Sequence, residues 1–400
     1  MSNKKIRVAI THGDTNGIGY ELILKTFAQP EMLDLCTPII YGSPKIATYH
    51  RKTLGLATNF IVIDKAEDAR DGKLNLLTAF DDEVKIEIGE STPEAGESAL
   101  KSLDRAMTDF RSGLFDVLVT APLNPHNIPT DLIHFTGHTA YIEKCVGEGK
   151  KALLMYIHRD LRVASVTTGM PLKQVSAAVT KEAIVDRATV FHESLRRDFS
   201  VQIPRIAVLS LNPHAGNADT YGSEEKNLIL PAIAALEEKD IQAFGPYAAD
   251  EFFGNGYFWQ FDGILAMYED QALGAFKLIA NEDTIQYTAG LPIIRTSTSL
   301  TPSYDHAGKG DTDEQTFRDA IYAAIDIYRN RIVYDEPTGN PLPKLYHERR
   351  DESEKVRFAM PRTRKDADAA ARTAEATKPA GTAKITEAVA PATEENVDAE

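Results

Sequence analysis

Residues 262–311 contain side chains that could bind a small anion and act on it chemically. These side chains are Glu269 and Asp270, then Lys277, then Arg295, and last the glycine-rich run Gly308, Lys309 and Gly310. Carboxylates can transfer protons or bind divalent cations, and basic side chains bind anionic groups. Glycine-rich turns can present backbone N–H groups to a phosphate. The combination predicts a site for a small anionic substrate and a nucleotide.

Two histidines stand next to predicted elements of secondary structure. His138 and Thr139 begin a predicted helix, where the imidazole could donate to a substrate oxygen or could instead cap or pack against the helix. His214 follows a buried strand at 205–211, within Asn-Pro-His-Ala-Gly. Ligands of open α/β sheets bind outside the carboxyl ends of the strands. We therefore interpret His214 as a functional residue.

A second glycine-rich stretch, THGDTNGIGYE at 11–21, lies between a predicted strand at 5–11 and a helix beginning near Tyr20. Such loops can present backbone N–H groups to an anion, or they can only turn the chain. The spacing of the glycines is not GxGxxG, so a dinucleotide fingerprint is not supported. Both interpretations of this loop stay open.

Strands and amphipathic helices alternate along most of the chain, which predicts an α/β protein with largely parallel sheets. Further strands are predicted at 37–41, 60–63 and 115–120, and an antiparallel pair at 151–157 and 161–168. Helices are predicted at 94–112, 181–197, 224–239 and 313–331, and an irregular connection at 244–256.

Composition narrows the class of protein. The net charge of −15 argues against a nucleic-acid partner, because binding phosphates requires a basic surface. The two cysteines, Cys36 and Cys145, form neither a zinc motif nor a disulfide framework. There is no signal-peptide pattern and no apolar run long enough to span a membrane, so we expect a cytoplasmic protein. Residues 346–400, rich in Ala, Glu, Lys, Thr and Pro, are predicted to form a disordered tail.

Eight segments, in order, resemble the 4-hydroxythreonine-4-phosphate dehydrogenase family of pyridoxal phosphate biosynthesis. They are THGDTNGIGYE, DVLVTAPLNP, FTGHT, LSLNPHAG, GPYAADEFF, DGILAMYEDQ, YTAGLPIIRTS and AGKGD. The resemblance implies two α/β domains of the isocitrate/isopropylmalate dehydrogenase type with the active site in the cleft between them. The first domain would comprise 1–135 plus 298–345, and the second, 136–297, would carry substrate and metal residues. It also implies a homodimer with shared active sites.

The implied reaction is the NAD-dependent oxidation of the C3 hydroxyl of 4-phosphooxy-L-threonine, a small phosphorylated amino acid. The resulting keto acid would lose CO2 to give 3-amino-2-oxopropyl phosphate. The family uses NAD and a divalent metal ion, which for this chain could be Zn, Mg, Mn or Co.

The resemblance also assigns roles to individual residues. Asp270 and Lys277 would be catalytic, and Gly308, Lys309 and Gly310 would bind the cofactor. His214 and Glu269 would bind the metal ion. The substrate-binding residues would be His138, Thr139, Lys277, Gln286 and Arg295.

The chain departs from the family pattern at several of these positions. Gly169 and Glu269 stand where the family has metal-binding histidines, and a carboxylate shifts the preference toward magnesium or manganese. Pro125 replaces a lysine, Gln286 replaces an asparagine, and 299–303 replaces the usual Asp-His-Gly-Thr-Ala. These changes favour a second hypothesis, a catalytically impaired or repurposed paralogue that binds a phosphorylated metabolite or a protein partner.

Overall fold

One mixed β-sheet of twelve strands runs through the part of the chain that the structure describes. The computed structural model describes residues 5–80, 84–129, 135–217, 220–281 and 283–339. The strands are β1 (Ile6–Thr11), β2 (Cys36–Gly42), β3 (Phe60–Ile63), β4 (Leu74–Thr78), β5 (Val117–Thr120), β6 (Leu153–His158), β7 (Leu161–Thr167), β8 (Arg205–Leu209), β9 (Gln242–Tyr247), β10 (Gly263–Tyr268), β11 (Ile285–Ala289) and β12 (Arg295–Thr298). The α-helices are α1 (Gly19–Thr26), α2 (Glu31–Leu35), α3 (Pro44–Thr53), α4 (Pro93–Arg111), α5 (His138–Val146), α6 (Leu172–Ala178), α7 (Lys181–Arg197), α8 (Leu230–Glu237), α9 (Ala249–Gly254), α10 (Glu269–Ala280) and α11 (Gln315–Gly339).

The sheet has two parallel blocks joined by an antiparallel middle. Its strand order is β3-β4-β2-β1-β5-β12-β11-β6-β7-β10-β8-β9. The strands from β3 to β12 are parallel, and so are those from β7 to β9. The contacts of β11 with β12 and β6, and of β6 with β7, are antiparallel. The α/β class and the predicted antiparallel pair are both confirmed.

Parallel strands are covered on both faces, so their sequences are apolar throughout rather than alternating. All four residues of β5 are buried, as are five of the six residues of β10. The apolar run before Glu269, which predicts a buried strand, therefore forms one. None of the described helices is long and apolar enough to cross a membrane.

Two of the long helices, α4 and α7, begin at side-chain caps. The hydroxyl of Thr92 accepts from the backbone N–H of Ala95 at the start of α4, and Thr180 accepts from Ala183 in the same way at α7. Each such cap satisfies one of the unpaired N–H groups of a first turn. The predicted helices at 94–112 and 181–197 are confirmed.

One prediction of local structure is wrong. Residues 244–256 are not an irregular connection, because they contain most of β9 and the whole of α9. The glycines and aromatic residues of this segment favoured an irregular connection, and Pro246 cannot donate to a sheet ladder. However, β9 is the last strand of the sheet, and an edge strand tolerates proline.

A buried ion pair joins the end of α7 to α11. Asp198 accepts from Nε of Arg331 at 2.7 Å, and both side chains are less than 10% exposed. The hydroxyls of Tyr287 and Ser194 also donate to the Asp198 carboxylate, at 2.7 and 2.6 Å. The charge therefore has several partners. The predicted tail at 346–400 lies outside the described residues.

Candidate functional site

A cavity of about 630 Å³ opens where the two parallel blocks meet the antiparallel middle of the sheet. Its walls come from the carboxyl end of β5, the segment after β7, the start of α5 and strand β12. Of the predicted site residues, five line it: His138, Thr139, Glu269, Gln286 and Arg295. The fold thus brings together residues that are separated by more than a hundred positions in the sequence.

Arg295 is the principal cation of the cavity. Its side chain is 2% exposed, and its Nη2 and Nε donate to the hydroxyl of Thr120 at 2.6 and 3.1 Å. Burial lowers the pKa of the guanidinium to about 9. Among the described residues no carboxylate forms an ion pair with it, so the protein alone leaves this charge poorly compensated. An anionic ligand would supply the missing partner.

His138 and Thr139 lie at the first turn of α5, beside Arg295. Burial, and secondly the charge of Arg295, hold the pKa of His138 well below its usual range, so the imidazole is neutral at pH 7. Its Nε2 is buried and has no hydrogen-bond partner among the described residues. The Thr139 hydroxyl lies 3.4 Å from that of Thr288. A neutral imidazole and this hydroxyl can both bond to the oxygens of a ligand.

Gln286 lies on β11, and its Oε1 accepts from the hydroxyl of Ser297 on β12 at 3.4 Å. Both residues line the cavity. The pair places an amide group on the sheet wall of the site.

Glu269 is held by a tyrosine that the sequence did not point to. The hydroxyl of Tyr156, on β6, donates to Oε1 of Glu269 at 2.5 Å. Burial, then the hydrogen bond and charge of Glu269, raise the pKa of Tyr156, so the phenol keeps its proton. The carboxylate therefore lies at the cavity wall with a fixed donor on one oxygen.

The other predicted site residues do not line this cavity. Asp270 and Lys277 are exposed on α10, and His214 is exposed beside the ring of Tyr221, 5.2 Å away. Gly308, Lys309 and Gly310 form a turn in which the Gly310 carbonyl accepts from Lys25 at 2.7 Å. One chain by itself does not assemble the whole predicted site.

The donors of one chain do not fit a divalent metal ion. Within the described ranges, no group of three or more His, Cys, Asp or Glu side chains is close enough to hold one. Gly169 lines the cavity near Glu269 but offers no side-chain ligand, and His214 lies outside it. We therefore derive no chemical step through a metal.

The cavity offers groups of the kind that contact the nicotinamide end of a cofactor. Leu123 and Leu300 add apolar surface to a lining that also exposes many polar groups, and the Thr298 hydroxyl is buried without a partner among the described residues. Cofactor sites combine apolar surface with placed polar groups. Leu300 also belongs to the segment that leads to the predicted cofactor residues, so the cavity and this segment adjoin.

The loop at 11–21 holds neighbouring segments together. Asp14, which is 1% exposed, accepts from Nδ2 of Asn127 and from the hydroxyl of Tyr304, both at 2.7 Å. Asn16 donates to the carbonyl of Glu90 at 3.0 Å and to the hydroxyl of Thr92 at 3.1 Å. The side chains of Asp14 and Asn16 are thus used in internal bonds.

Sequence reasoning missed one residue that bonds to the cavity wall, Tyr156, and one that lines the cavity, Arg187. Tyr156 lies within a buried strand, and Arg187 lies on an amphipathic helix, where charged side chains usually face solvent. Neither position carries a local signal, because what brings each into the site is tertiary packing.

Comparison with known proteins gives consistent matches. Residues 34–324 match the model of the family described as pyridoxal phosphate biosynthetic protein PdxA. A 4-hydroxythreonine-4-phosphate dehydrogenase of Bacteroides thetaiotaomicron is 51% identical over 358 residues, covering 90% of this chain and 98% of the relative. One from a Sulfurihydrogenibium species is 33% identical, covering 82% and 99%. The crystal structure of the Klebsiella pneumoniae enzyme of that name has a TM-score of 0.69 at 27% identity, covering 82% and 99%.

Proposed function

Because the chain belongs to the family of pyridoxal phosphate biosynthetic protein PdxA, we propose that its cavity binds 4-phosphooxy-L-threonine for oxidation by NAD. The protein is thus an oxidoreductase of pyridoxal phosphate biosynthesis, with 4-hydroxythreonine-4-phosphate dehydrogenase activity. The observation that carries the substrate assignment is the buried Arg295, whose charge is compensated when a phosphate binds.

The residues of the cavity suit a phosphorylated substrate. Arg295 binds the phosphate, and the Thr139 hydroxyl and the neutral His138 imidazole donate to its oxygens. Gln286 offers an amide from the sheet wall. These contacts fix the substrate so that its C3 hydroxyl is held in one orientation for oxidation.

NAD, when bound, supplies the acceptor for the hydride that leaves C3. Leu123, Leu300 and Thr298 would bind its nicotinamide end, with the turn at Gly308–Gly310 as the predicted site for the rest. The hydroxyl proton leaves as the hydride does, and Asp270 and Lys277 are the residues predicted to move protons. Loss of CO2 from the keto acid then gives 3-amino-2-oxopropyl phosphate.

We also propose a homodimer with shared active sites. Asp270, Lys277 and His214 are exposed and lie outside the cavity of their own chain, which supports their use in the cavity of a second copy. The predicted metal ligands His214 and Glu269 depend on that dimer. The predicted division into 1–135 plus 298–345 and 136–297 is supported by the strand order, in which β1 to β5 form one part of the sheet and β6 to β12 the other. We place the protein in the cytoplasm.

A direct assay tests the function. Purified protein is incubated with 4-phosphooxy-L-threonine and NAD, with Zn, Mg, Mn or Co in turn, and NADH is followed by absorbance. We expect NADH formation that Arg295→Ala reduces by at least about a hundredfold in kcat/KM, as for loss of a buried charged contact. No turnover with any metal ion would contradict the dehydrogenase and favour the repurposed paralogue, which Gly169 and the altered 299–303 segment would then explain.

A further inference from the structure

Strand β6 and the residue before it run beside the cavity. Side chains at alternate positions of a strand share a face and are about 7 Å apart. Ala152, Leu154 and Tyr156 are related in this way, and the first two line the cavity. The groups that contact each position therefore report what lies at each end of the site.

The middle and one end of this series lie next to Arg295 and Glu269. Leu154 pairs with Thr288, whose hydroxyl is 3.5 Å from Nη1 of Arg295. The Tyr156 position carries the bond to Glu269. The cavity thus has a cation at its middle and an anion at one end.

The Ala152 end carries a second guanidinium. Arg187 reaches the cavity wall from α7, and its Nη1 donates to the Ala152 carbonyl at 2.5 Å. No carboxylate of the described residues forms an ion pair with Arg187, and none of its nitrogens is buried without a partner. Its side chain is partly exposed, so its other N–H groups can reach a ligand.

The carboxylate that lines the cavity at this end, Glu143, already has partners. Glu143 lines the cavity, but its Oε2 accepts from the Ala152 N–H at 2.8 Å and its Oε1 from Lys151 at 3.1 Å. Because both oxygens of Glu143 have these partners, its carboxylate compensates the charge of Arg187 only in part. Lys144 and Lys150 flank an adjoining hollow that Glu143 also lines, so this end of the site is cationic overall.

We propose that Arg187 is a further phosphate-binding residue, which holds the substrate phosphate together with Arg295 and so sets the direction in which the substrate lies. This rests on the proposed function for the identity of the substrate. A dianionic phosphate has the charge and the oxygens to bond to two guanidinium groups at once. The ammonium and hydroxyl groups of the substrate then point toward Glu269.

The test compares four forms of the whole chain. They are the wild type, Arg187→Ala, Arg187→Lys and, as a matched control, Arg196→Ala. Arg196 lies on the same helix but is exposed beside Tyr334 and does not line the cavity. The affinity for inorganic phosphate is measured by calorimetry, and KM and kcat are measured with 4-phosphooxy-L-threonine. Thermal unfolding confirms that each variant is folded.

For Arg187→Ala we expect phosphate affinity to fall about tenfold and KM to rise about tenfold, with kcat within about twofold of the wild type. The phosphate affinity and the KM of Arg187→Lys should lie between those of the wild type and Arg187→Ala, because lysine keeps the charge but lacks the forked geometry of the guanidinium. If Arg187→Ala unfolds, the same comparison is made with Arg187→Lys alone.

A phosphate affinity of the Arg187 variants within about twofold of Arg196→Ala would overturn the proposal. The calorimetric measurement does not depend on turnover. Weaker phosphate binding in a protein that forms no NADH would therefore support the role of Arg187 while contradicting the dehydrogenase function.

Discussion

Arg295 should make the fold less stable while it makes the site functional. The guanidinium is 2% exposed and is bonded to threonine hydroxyls rather than to a carboxylate. Its pKa is lowered to about 9 by burial, which disfavours the charged form in the folded protein. Replacement of this side chain by methionine, which is similar in length and apolar, should therefore stabilise the protein.

The size of the effect follows from the same contacts. The lowered pKa corresponds to a cost of about 5 kcal/mol for the charged form in the folded state. Because the folded pKa lies below the unfolded one, this cost is fully present below about pH 9 and shrinks as the pH rises through that value. Arg295→Met also leaves the Thr120 and Thr288 hydroxyls without this donor, at about 1 kcal/mol each. We expect a net gain of about 1–3 kcal/mol at pH 7, within the range for buried charges replaced by apolar side chains.

Urea denaturation of the wild type, Arg295→Met and Arg295→Lys measures this change in the free energy of unfolding. Inorganic phosphate should stabilise the wild type, since a ligand that binds only the folded state does so by mass action, and it should stabilise Arg295→Met much less. Arg295→Lys keeps a buried cation and should show no gain. A loss of more than about 1 kcal/mol in Arg295→Met would mean that the fold itself compensates the charge, and it would refute this reasoning.

Three further predictions concern other parts of the structure. Asp198→Asn should cost about 3–5 kcal/mol in urea denaturation, because it leaves a buried arginine without its anion, and a cost below about 1 kcal/mol would contradict the pairing. Tyr304→Phe removes the 2.7 Å bond to Asp14. The KM for NAD should rise about tenfold, while the KM for the phosphorylated substrate should stay within about twofold of the wild type. Equal changes in the two KM values would argue against a cofactor-specific role. Gly169→His should raise the affinity for zinc at least about tenfold in a chelator competition, because nothing lies within 4 Å of a Cβ at this position. The φ of +63° at this position should make the substitution cost about 1 kcal/mol of stability. An unchanged zinc affinity would place the metal ion elsewhere.

Local sequence patterns correctly predicted the helices and strands that are determined by neighbouring residues. The predicted helix at 181–197 has the bounds of α7, since a threonine cap and a helical apolar pattern both act within a few residues. The strand β9 was missed because its segment is rich in glycine and aromatic residues, and because its pairing with β8 at the edge of the sheet is not a local property. The local patterns specify the elements, while their order in the sheet depends on pairing between distant segments.

Some residues of the candidate site could likewise be predicted from local sequence, and others could not. His138, Thr139 and Arg295 stand in segments that resemble a family, and Gln286 directly precedes one of them, so the sequence points to these four residues, and the structure brings all four to one cavity. The contact between Tyr156 and Glu269 joins residues 113 positions apart, and that between Arg187 and Ala152 joins residues 35 apart. Such pairs depend on which strands and helices become neighbours. They could not be predicted from spacing.

The loop at 11–21 shows why a strand, glycines and a helix do not by themselves predict an anion site. Three of its backbone N–H groups already have partners: Asp14 donates to the Pro122 carbonyl at 2.8 Å, Gly17 to the Asp14 carbonyl at 3.2 Å and Ile18 to the Pro302 carbonyl at 3.0 Å. Gly13 is required for a different reason, because a Cβ there would lie 2.1 Å from the Pro122 oxygen. An amide that is bonded within the protein is not available to a phosphate. The loop therefore acts through packing, by fixing the segments that follow β5 and β12, and it is those segments that line the cavity where Arg295 meets its ligand.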